Sequence, residues 1–177
     1  MIDLKGQRLL IIAPHPDDEV IGCGGLIQKI KKNGGKVFVL FLTVGDTKDF
    51  SKKGLSTELQ RESEIKNVAN FLKIDKYHIA FPGNKYHLQL DKIGQLALMD
   101  VIERESPVSI KNIKPTIVAF PSVSSYNQDH TAAARATYAA LRNSSREKYF
   151  VKTAVTFEQA ADFWMLEEKP SVNFYVP

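Results

Sequence analysis

Apolar runs alternate with amphipathic segments along most of the chain, a pattern typical of a parallel β-sheet covered by helices. Residues 8–13 read Arg-Leu-Leu-Ile-Ile-Ala, and their continuous apolar run predicts a strand buried on both faces. Similar runs predict further strands at residues 36–43, 77–81, 116–120 and 151–157. The pattern therefore predicts an α/β fold with a mostly parallel sheet.

Helical spacing of apolar residues predicts the elements between these strands, at residues 19–32, 57–73, 90–105 and 130–142. Asn33-Gly34-Gly35 is a stop signal for the first helix, and Thr57 followed by Gln60 approximates a capping box for the second. Residues 45–56 are polar and lysine-rich, which predicts a surface loop.

Two polar clusters follow predicted strands and precede predicted helices. One is His-Pro-Asp-Asp-Glu at residues 15–19, and the other is Asn-Gln-Asp-His at residues 127–130. Ligands of open parallel sheets bind at the carboxyl ends of the strands. We therefore expect the two clusters to contribute side chains to one cleft.

The residue types in these clusters match a zinc hydrolase, which needs about three histidine or carboxylate ligands and a position for water. His15 and Asp18 lie three residues apart at a strand-to-helix corner, and His130 is the natural third ligand. The two remaining histidines, His78 in a strand and His87 in a polar loop, are not expected near a carboxylate cluster.

The aspartate beside these ligands, Asp17, is placed to act as general base towards the attacking water. Glu19 falls in the first helical turn, where its charge favours the helix dipole, so we expect it to have a structural role. A simpler interpretation stays open, because acidic residues often cap helices and His-Pro pairs often occur in turns.

Length and composition narrow the function classes. The 177 residues predict one domain, and no apolar run approaches the roughly 18 residues of a membrane helix. A net charge of +4 without interleaved aromatic residues gives no indication of nucleic-acid binding. Lacking an export signal, the protein is expected to be cytoplasmic, and a homo-oligomer is compatible with the sequence. The single Cys23 excludes an internal disulfide and is expected to be buried.

A family resemblance covers almost the whole chain. Residues 13–19, Ala-Pro-His-Pro-Asp-Asp-Glu, and 22–25, Gly-Cys-Gly-Gly, resemble the signature of the PIG-L/LmbE-like N-acetylglucosamine deacetylase family. Shorter matches follow in order, at Thr43-Val44-Gly45, Arg61 to Glu64, Phe81-Pro82-Gly83-Asn84, Asn127-Gln128-Asp129-His130 and Phe157-Glu158.

The resemblance implies a Rossmann-like three-layer sandwich in which residues 1–177 form one deacetylase domain. It also implies zinc-dependent removal of an acyl group from the nitrogen of a small-molecule amino-sugar conjugate such as an N-acetylglucosaminide. By motif position, His15, Asp18 and His130 match the zinc ligands and Asp17 the base. Arg61 matches an arginine associated with substrate binding. Asp129 is expected to orient the neighbouring ligand His130.

The chain departs from the family at several positions. Many relatives have histidine where this chain has Asn127, at a position that helps to stabilise the oxyanion; asparagine donates a hydrogen bond there but delivers no proton. The alternative to this catalytic role is that Asn127 only caps the following helix. Relatives of the asparagine-bearing subgroup often carry aspartate in place of Gly83 and Ser125. The C-terminal part is expected to be either naturally shortened or incomplete, since relatives typically continue beyond residue 177.

Two other functions are alternatives to the deacetylase. A dinucleotide-binding module is disfavoured because Ile27 occupies the third glycine position of the G-x-G-x-x-G pattern, so close helix–sheet packing explains Gly22, Gly24 and Gly25 better. A degenerate, non-catalytic family member that binds a sugar or a protein partner is the other alternative. Turnover separates it from the enzyme.

Overall fold

A five-stranded parallel sheet forms the centre of the molecule. The computed structural model describes residues 3–48, 52–142, 148–158 and 173. The strand order is β5-β2-β1-β6-β7, and every neighbouring pair is parallel. The strands span Arg8–Ala13 (β1), Lys36–Val44 (β2), Lys76–Pro82 (β5), Ile117–Pro121 (β6) and Thr153–Phe157 (β7), and the prediction of a mostly parallel α/β sheet is confirmed.

Helices cover both faces of this sheet, giving the predicted three layers. The α-helices span Asp18–Lys32 (α1), Glu58–Phe71 (α2), Gln95–Asp100 (α3), Ile110–Ile113 (α4) and Gln128–Leu141 (α5). Alternate residues of β1 point to opposite faces: Leu9 and Ile11 pack with the residues of α1, and Leu10 and Ile12 with those of α3, α4 and α5. Both apolar clusters are buried, which explains why β1 and β2 lack polar alternation.

The connection after β2 contains more structure than the predicted surface loop. A two-stranded antiparallel hairpin pairs Thr47–Lys48 (β3) with Leu55–Ser56 (β4), and residues 49–51 of that loop lie outside the described residues. The following helix begins as predicted. Thr57 accepts a hydrogen bond from the backbone of Gln60, whose side chain bonds back to Thr57, so the capping box is present.

The prediction of one continuous helix over residues 90–105 is wrong. The segment forms a 3-10 turn at Leu90–Lys92, then α3, then a π-helical turn at Val101–Glu105. Gly94 has extended backbone dihedral angles, and the backbone N–H of Leu90 donates to Oδ1 of Asp129 at 2.8 Å. A side chain 39 residues away thus fixes the start of the segment, which local periodicity could not indicate.

The glycines of α1 serve helix–sheet packing. A Cβ built on Gly22 would lie 2.3 Å from Cδ2 of Phe157 at the end of β7, whereas a Cβ on Gly24 meets nothing closer than 3.9 Å. The ring of Phe157 therefore lies directly against the helix backbone. This contact supports the packing interpretation of the glycine motif. Within the described residues, no helix is both long and apolar enough to cross a membrane.

These two glycines provide a matched test of the packing. Gly22→Ala is expected to lower the free energy of unfolding by about 1–3 kcal/mol, the usual cost of overpacking a core. Gly24→Ala, which adds the same methyl group at ordinary van der Waals distance from its neighbour, should instead raise it by up to about 1 kcal/mol through helix propensity. Urea unfolding of both variants measures the difference; equal effects of the same sign would refute the tight contact with Phe157.

Candidate metal centre

The loops after β1 and β6 bring His15, Asp18 and His130 together at the carboxyl edge of the sheet. Nδ1 of His15 lies 3.7 Å from Oδ2 of Asp18, and Nε2 of His130 lies 3.3 Å from Oδ1 of the same carboxylate. One ligand atom from each residue lies within 4.8 Å of the other two, and all three side chains are buried. The sequence-based expectation that both loops reach one cleft is thus met by the geometry.

This donor set fits a catalytic zinc ion. Two imidazoles and one carboxylate are three of the ligands that zinc hydrolases use, and a fourth position stays available for water or substrate. Burying a carboxylate is costly unless it is paired or coordinates a cation. Among the described residues, these three form the group with the spacing to hold a metal ion.

Asp129 orients a histidine, but the hydrogen bond that the structure shows is with His15 and not with the expected His130. Oδ2 of Asp129 lies 2.8 Å from Nε2 of His15, and its other oxygen accepts from the backbone N–H of Leu90. The carboxylate is fully buried. With Nε2 of His15 occupied in this way, its Nδ1 faces Asp18 and is the nitrogen available to a metal.

The backbone of Asp17 adopts a conformation that side chains rarely take. Its φ is 118° and its ψ is −30°, at the position immediately before α1. The carboxylate of Glu19 accepts a hydrogen bond from the Asp17 backbone N–H at 3.0 Å, and the Asp17 carbonyl accepts from Val20 and Ile21. These bonds hold the strained residue so that its side chain, 54% exposed, projects at the mouth of the site. Glu19 therefore has a structural role, because its carboxylate holds the backbone of Asp17.

The two carboxyl groups flanking Asp18 have raised pKa values. Desolvation at the mouth of the site and the neighbouring Asp18 raise the pKa of Asp17, while the guanidinium of Arg61 opposes the shift. Burial raises the pKa of Glu19 to about 7, with smaller contributions from Asp17 and Asp18, against the backbone donors that it accepts from. Both pKa shifts follow first from burial, to which the neighbouring acidic residues at the helix start add.

Arg61 extends from α2 towards the loop that carries Asp17. Its Nη2 donates to the carbonyl oxygen of Pro16 at 2.6 Å and lies 3.6 Å from Oδ2 of Asp17, and its Nη1 lies 3.4 Å from Oε2 of Glu64. Its Nε is buried and has no hydrogen-bond partner among the residues that the structure describes. The structure therefore brings Arg61 beside Asp17.

Asn127 is the N-cap of α5, so its side-chain oxygen has the capping role that the sequence offered as one interpretation. Oδ1 accepts a hydrogen bond from the backbone N–H of Asp129 at 2.9 Å. An amide has a second functional group, and the capping bond leaves its NH₂ donor uncommitted by that contact. Capping and donation to a substrate are therefore compatible roles for one side chain.

His87 is a site residue that the sequence reasoning placed wrongly away from the carboxylate cluster. Its ring is 5% exposed and lies edge-on to His15, with 5.7 Å between ring centroids. Burial, with His15 and Arg61 nearby, lowers the pKa of His87 to about 4, so the ring is neutral at pH 7. One signal was available: the loop after β5 must emerge at the same sheet edge as the loops after β1 and β6.

Two departures noted in the sequence have structural consequences. Gly83 has a φ of 89°, a conformation strained for any residue with a side chain, and a Cβ there would meet only Oε2 of Glu58 at 4.0 Å. Ser125 is buried, and its hydroxyl accepts from the backbone N–H of Asn127 at 3.2 Å. Ser125 thus shapes the turn before α5.

Cys23 is buried as predicted, and burial raises the pKa of its thiol.

Comparison with known proteins places these residues in a wider context. Residues 10–141 match the model of the family described as PIG-L: GlcNAc-PI de-N-acetylase. The chain is 27% identical to the uncharacterized deacetylase YaiS of Escherichia coli (strain K12) over 139 residues, 78% of this chain and 70% of YaiS. It is 35% identical to diacetylchitobiose deacetylase of Thermococcus kodakarensis over 103 residues, 57% of this chain and 38% of that protein.

Solved structures share the architecture. A conserved protein of Thermus thermophilus superposes with a TM-score of 0.63 and 28% identity, covering 85% of this chain and 66% of that one. The chain thus spans less than two thirds of the length of the Thermococcus and Thermus proteins.

Proposed function

The chain belongs to the PIG-L family, whose model its residues 10–141 match, and we propose that it is a zinc-dependent N-deacetylase acting on an amino-sugar conjugate. The relatives named as deacetylases support hydrolysis of an N-acyl group, and the diacetylchitobiose deacetylase supports a sugar substrate. The proposal includes one domain over residues 1–177, a small-molecule substrate and a cytoplasmic location.

One observation carries the proposal: a buried set of two imidazoles and a carboxylate lies beside an exposed, strained carboxylate. His15, Asp18 and His130 would hold the zinc ion. Asp17 is adjacent in sequence to a ligand, yet it is not a member of the ligand set and its side chain faces the mouth of the site. Hydrolysis of an amide needs this division between metal ligands and a free proton acceptor.

The residues of the chain then have distinct tasks. A zinc ion bound by these ligands would supply Lewis-acid chemistry towards water and the acyl carbonyl. Asp17 accepts the proton from the attacking water and passes it to the departing amine nitrogen. Arg61, bonded to the Pro16 carbonyl, fixes the loop carrying Asp17 and presents its charge to the substrate. The amide NH₂ of Asn127 donates to the oxyanion.

The direct test is acetate release from a panel of N-acetylated sugars. Purified protein would be stripped with a chelator, and release from N-acetylglucosamine, diacetylchitobiose and alkyl N-acetylglucosaminides measured with and without added Zn²⁺. We expect zinc-dependent release from at least one sugar. Zinc-loaded, folded protein that releases acetate from none of them would instead support the non-catalytic alternative, in which the fold binds a sugar or a protein partner without turnover.

Asn127 provides a test that separates capping from catalysis. Asn127→Ala removes both functions, so it is expected to lower the free energy of unfolding by about 1 kcal/mol and kcat by about 10²–10³-fold. Asn127→Ser keeps a capping oxygen but loses the amide donor, so kcat should fall with little loss of stability. Asn127→His should retain activity and add an acidic limb to the pH profile. The measurements are kcat per bound zinc and thermal unfolding of each variant; a serine variant with unchanged kcat would leave Asn127 as a cap alone.

A further inference from the structure

His87 is a buried ionisable side chain beside the candidate metal ligand His15, and the proposed mechanism does not use it. It follows β5 in the loop that begins at Gly83, and its ring stands at 89° to the ring of His15. The metal-binding group among the described residues comprises His15, Asp18 and His130 and does not include His87. Both ring nitrogens of His87 face threonine hydroxyls instead.

Hydrogen bonds hold both ring nitrogens of His87. Nε2 lies 2.8 Å from Oγ1 of Thr47, and Nδ1 lies 3.4 Å from Oγ1 of Thr43. Each threonine hydroxyl also donates towards a backbone carbonyl oxygen, Thr47 to Gly45 at 3.3 Å and Thr43 to Pro14 at 3.1 Å. This chain of bonds runs from the hairpin strand β3 to the residue before His15.

Tight packing holds the ring in this orientation. A Cβ on Gly45 would lie 2.7 Å from Cβ and 2.8 Å from Cγ of His87, so the glycine backbone lies directly against the side chain. The opposite neighbour is the ring of His15. His87 is thus confined between the end of β2 and a candidate metal ligand, with its rotation fixed by two hydroxyl groups.

We propose that His87 is a positioning residue for the metal centre, which supports the ring of His15 and couples its orientation to Thr47 of the hairpin. His15 then has three restraints: Asp129 on Nε2, Asp18 on its backbone N–H, and the edge of His87 beside its ring. Loss of the outer partners that orient metal-ligating histidines typically lowers metal affinity by about 10–100-fold. The proposal rests on the metal site of the proposed function.

Co²⁺ is the probe for this proposal, because its visible absorption reports ligand geometry without any requirement for turnover. Metal-free wild type, His87→Ala, Thr47→Val and Thr47→Ser would be titrated with Co²⁺, with circular dichroism and thermal unfolding of each metal-free form as the check of folding. His78→Ala, on β5, is the matched histidine control. Thr47→Val removes the hydroxyl at constant shape, and Thr47→Ser retains it.

For His87→Ala we expect Co²⁺ to bind about 10–100-fold more weakly, with shifted absorption bands. Thr47→Val should change affinity in the same direction by a smaller factor, whereas Thr47→Ser and His78→Ala should resemble the wild type. The double variant should bind no more weakly than His87→Ala alone, because both changes interrupt one path.

Two outcomes would overturn the role of His87 while leaving the proposed function intact. One is a folded His87→Ala variant with the affinity and spectrum of the wild type, and the other is a Thr47→Val effect that adds in full to that of His87→Ala. If His87→Ala does not fold, Thr47→Val decides alone, and an unchanged Kd and spectrum contradict the proposal. A wild type that binds neither Co²⁺ nor Zn²⁺ would refute the metal site itself.

Discussion

Replacement of His130 by alanine is expected to remove most of the bound zinc. His130 would supply one of three protein ligands, from a side chain that is buried and 3.3 Å from Asp18. Alanine leaves two ligands and a buried carboxylate with one fewer partner. The loss of zinc affinity should be larger than the loss of about 10–100-fold that typically follows removal of a residue that orients a metal ligand. Elemental analysis after equilibrium dialysis against Zn²⁺ measures it.

The control for this prediction is His78→Ala, which removes an imidazole from the edge strand β5 and should keep its full zinc content. Thermal unfolding of the metal-free forms shows whether the His130 variant is folded when it is analysed. If a folded His130→Ala protein retained one zinc per chain at the wild-type affinity, the assignment of the third ligand would be wrong.

Asp17→Asn is expected to lower kcat by about 10²–10⁴-fold, the usual contribution of a general base. Asparagine is nearly isosteric and tolerates positive φ better than most residues, so the backbone at position 17 should be preserved. The hydrogen bond from its N–H to Glu19 is donated by the main chain and persists. An amide, however, does not accept the proton of the attacking water. Zinc content and kcat, measured on the same sample, separate binding from chemistry.

Glu64→Gln is the matched control for Asp17→Asn. It also replaces one carboxylate by an amide near Arg61, with an oxygen 3.4 Å from the guanidinium, but it lies farther along α2. If the effect at position 17 came only from loss of a negative charge beside Arg61, both variants would lose turnover similarly. Near-normal kcat in zinc-loaded Asp17→Asn would remove Asp17 from the proton transfer.

Local sequence signals predicted most of the fold. The continuous apolar run of β1 reflects burial on both faces, and the Thr57–Gln60 capping box is an interaction between residues three apart. Signals of this kind need no knowledge of the rest of the chain. The helix expected from residue 90 failed for the opposite reason, because the Asp129 carboxylate binds the Leu90 N–H from a distant loop.

Sequence signals likewise predicted part of the candidate site and missed the contacts made by distant loops. His15, Asp18 and His130 were predicted because parallel topology places their loops at one sheet edge. The partner of Asp129 was assigned by sequence neighbourhood to His130, whereas the folded chain brings its carboxylate to His15, 114 residues away. His87 was missed because no motif accompanies it; only the packing of three loops reveals its position. Residue types indicate the metal ligands, while three-dimensional contacts determine what orients them.

The backbone angle at residue 17 also bears on how this chain has been selected. At a φ of 118°, glycine would occupy the position at lower conformational cost than aspartate, by about 1–3 kcal/mol for a residue in such a sparsely populated region. A lineage freed from catalysis would gain stability from that single substitution, and random drift readily finds such changes. Aspartate at residue 17 thus sacrifices stability to keep a carboxylate at this position, which is what the proposed role of Asp17 in proton transfer would require.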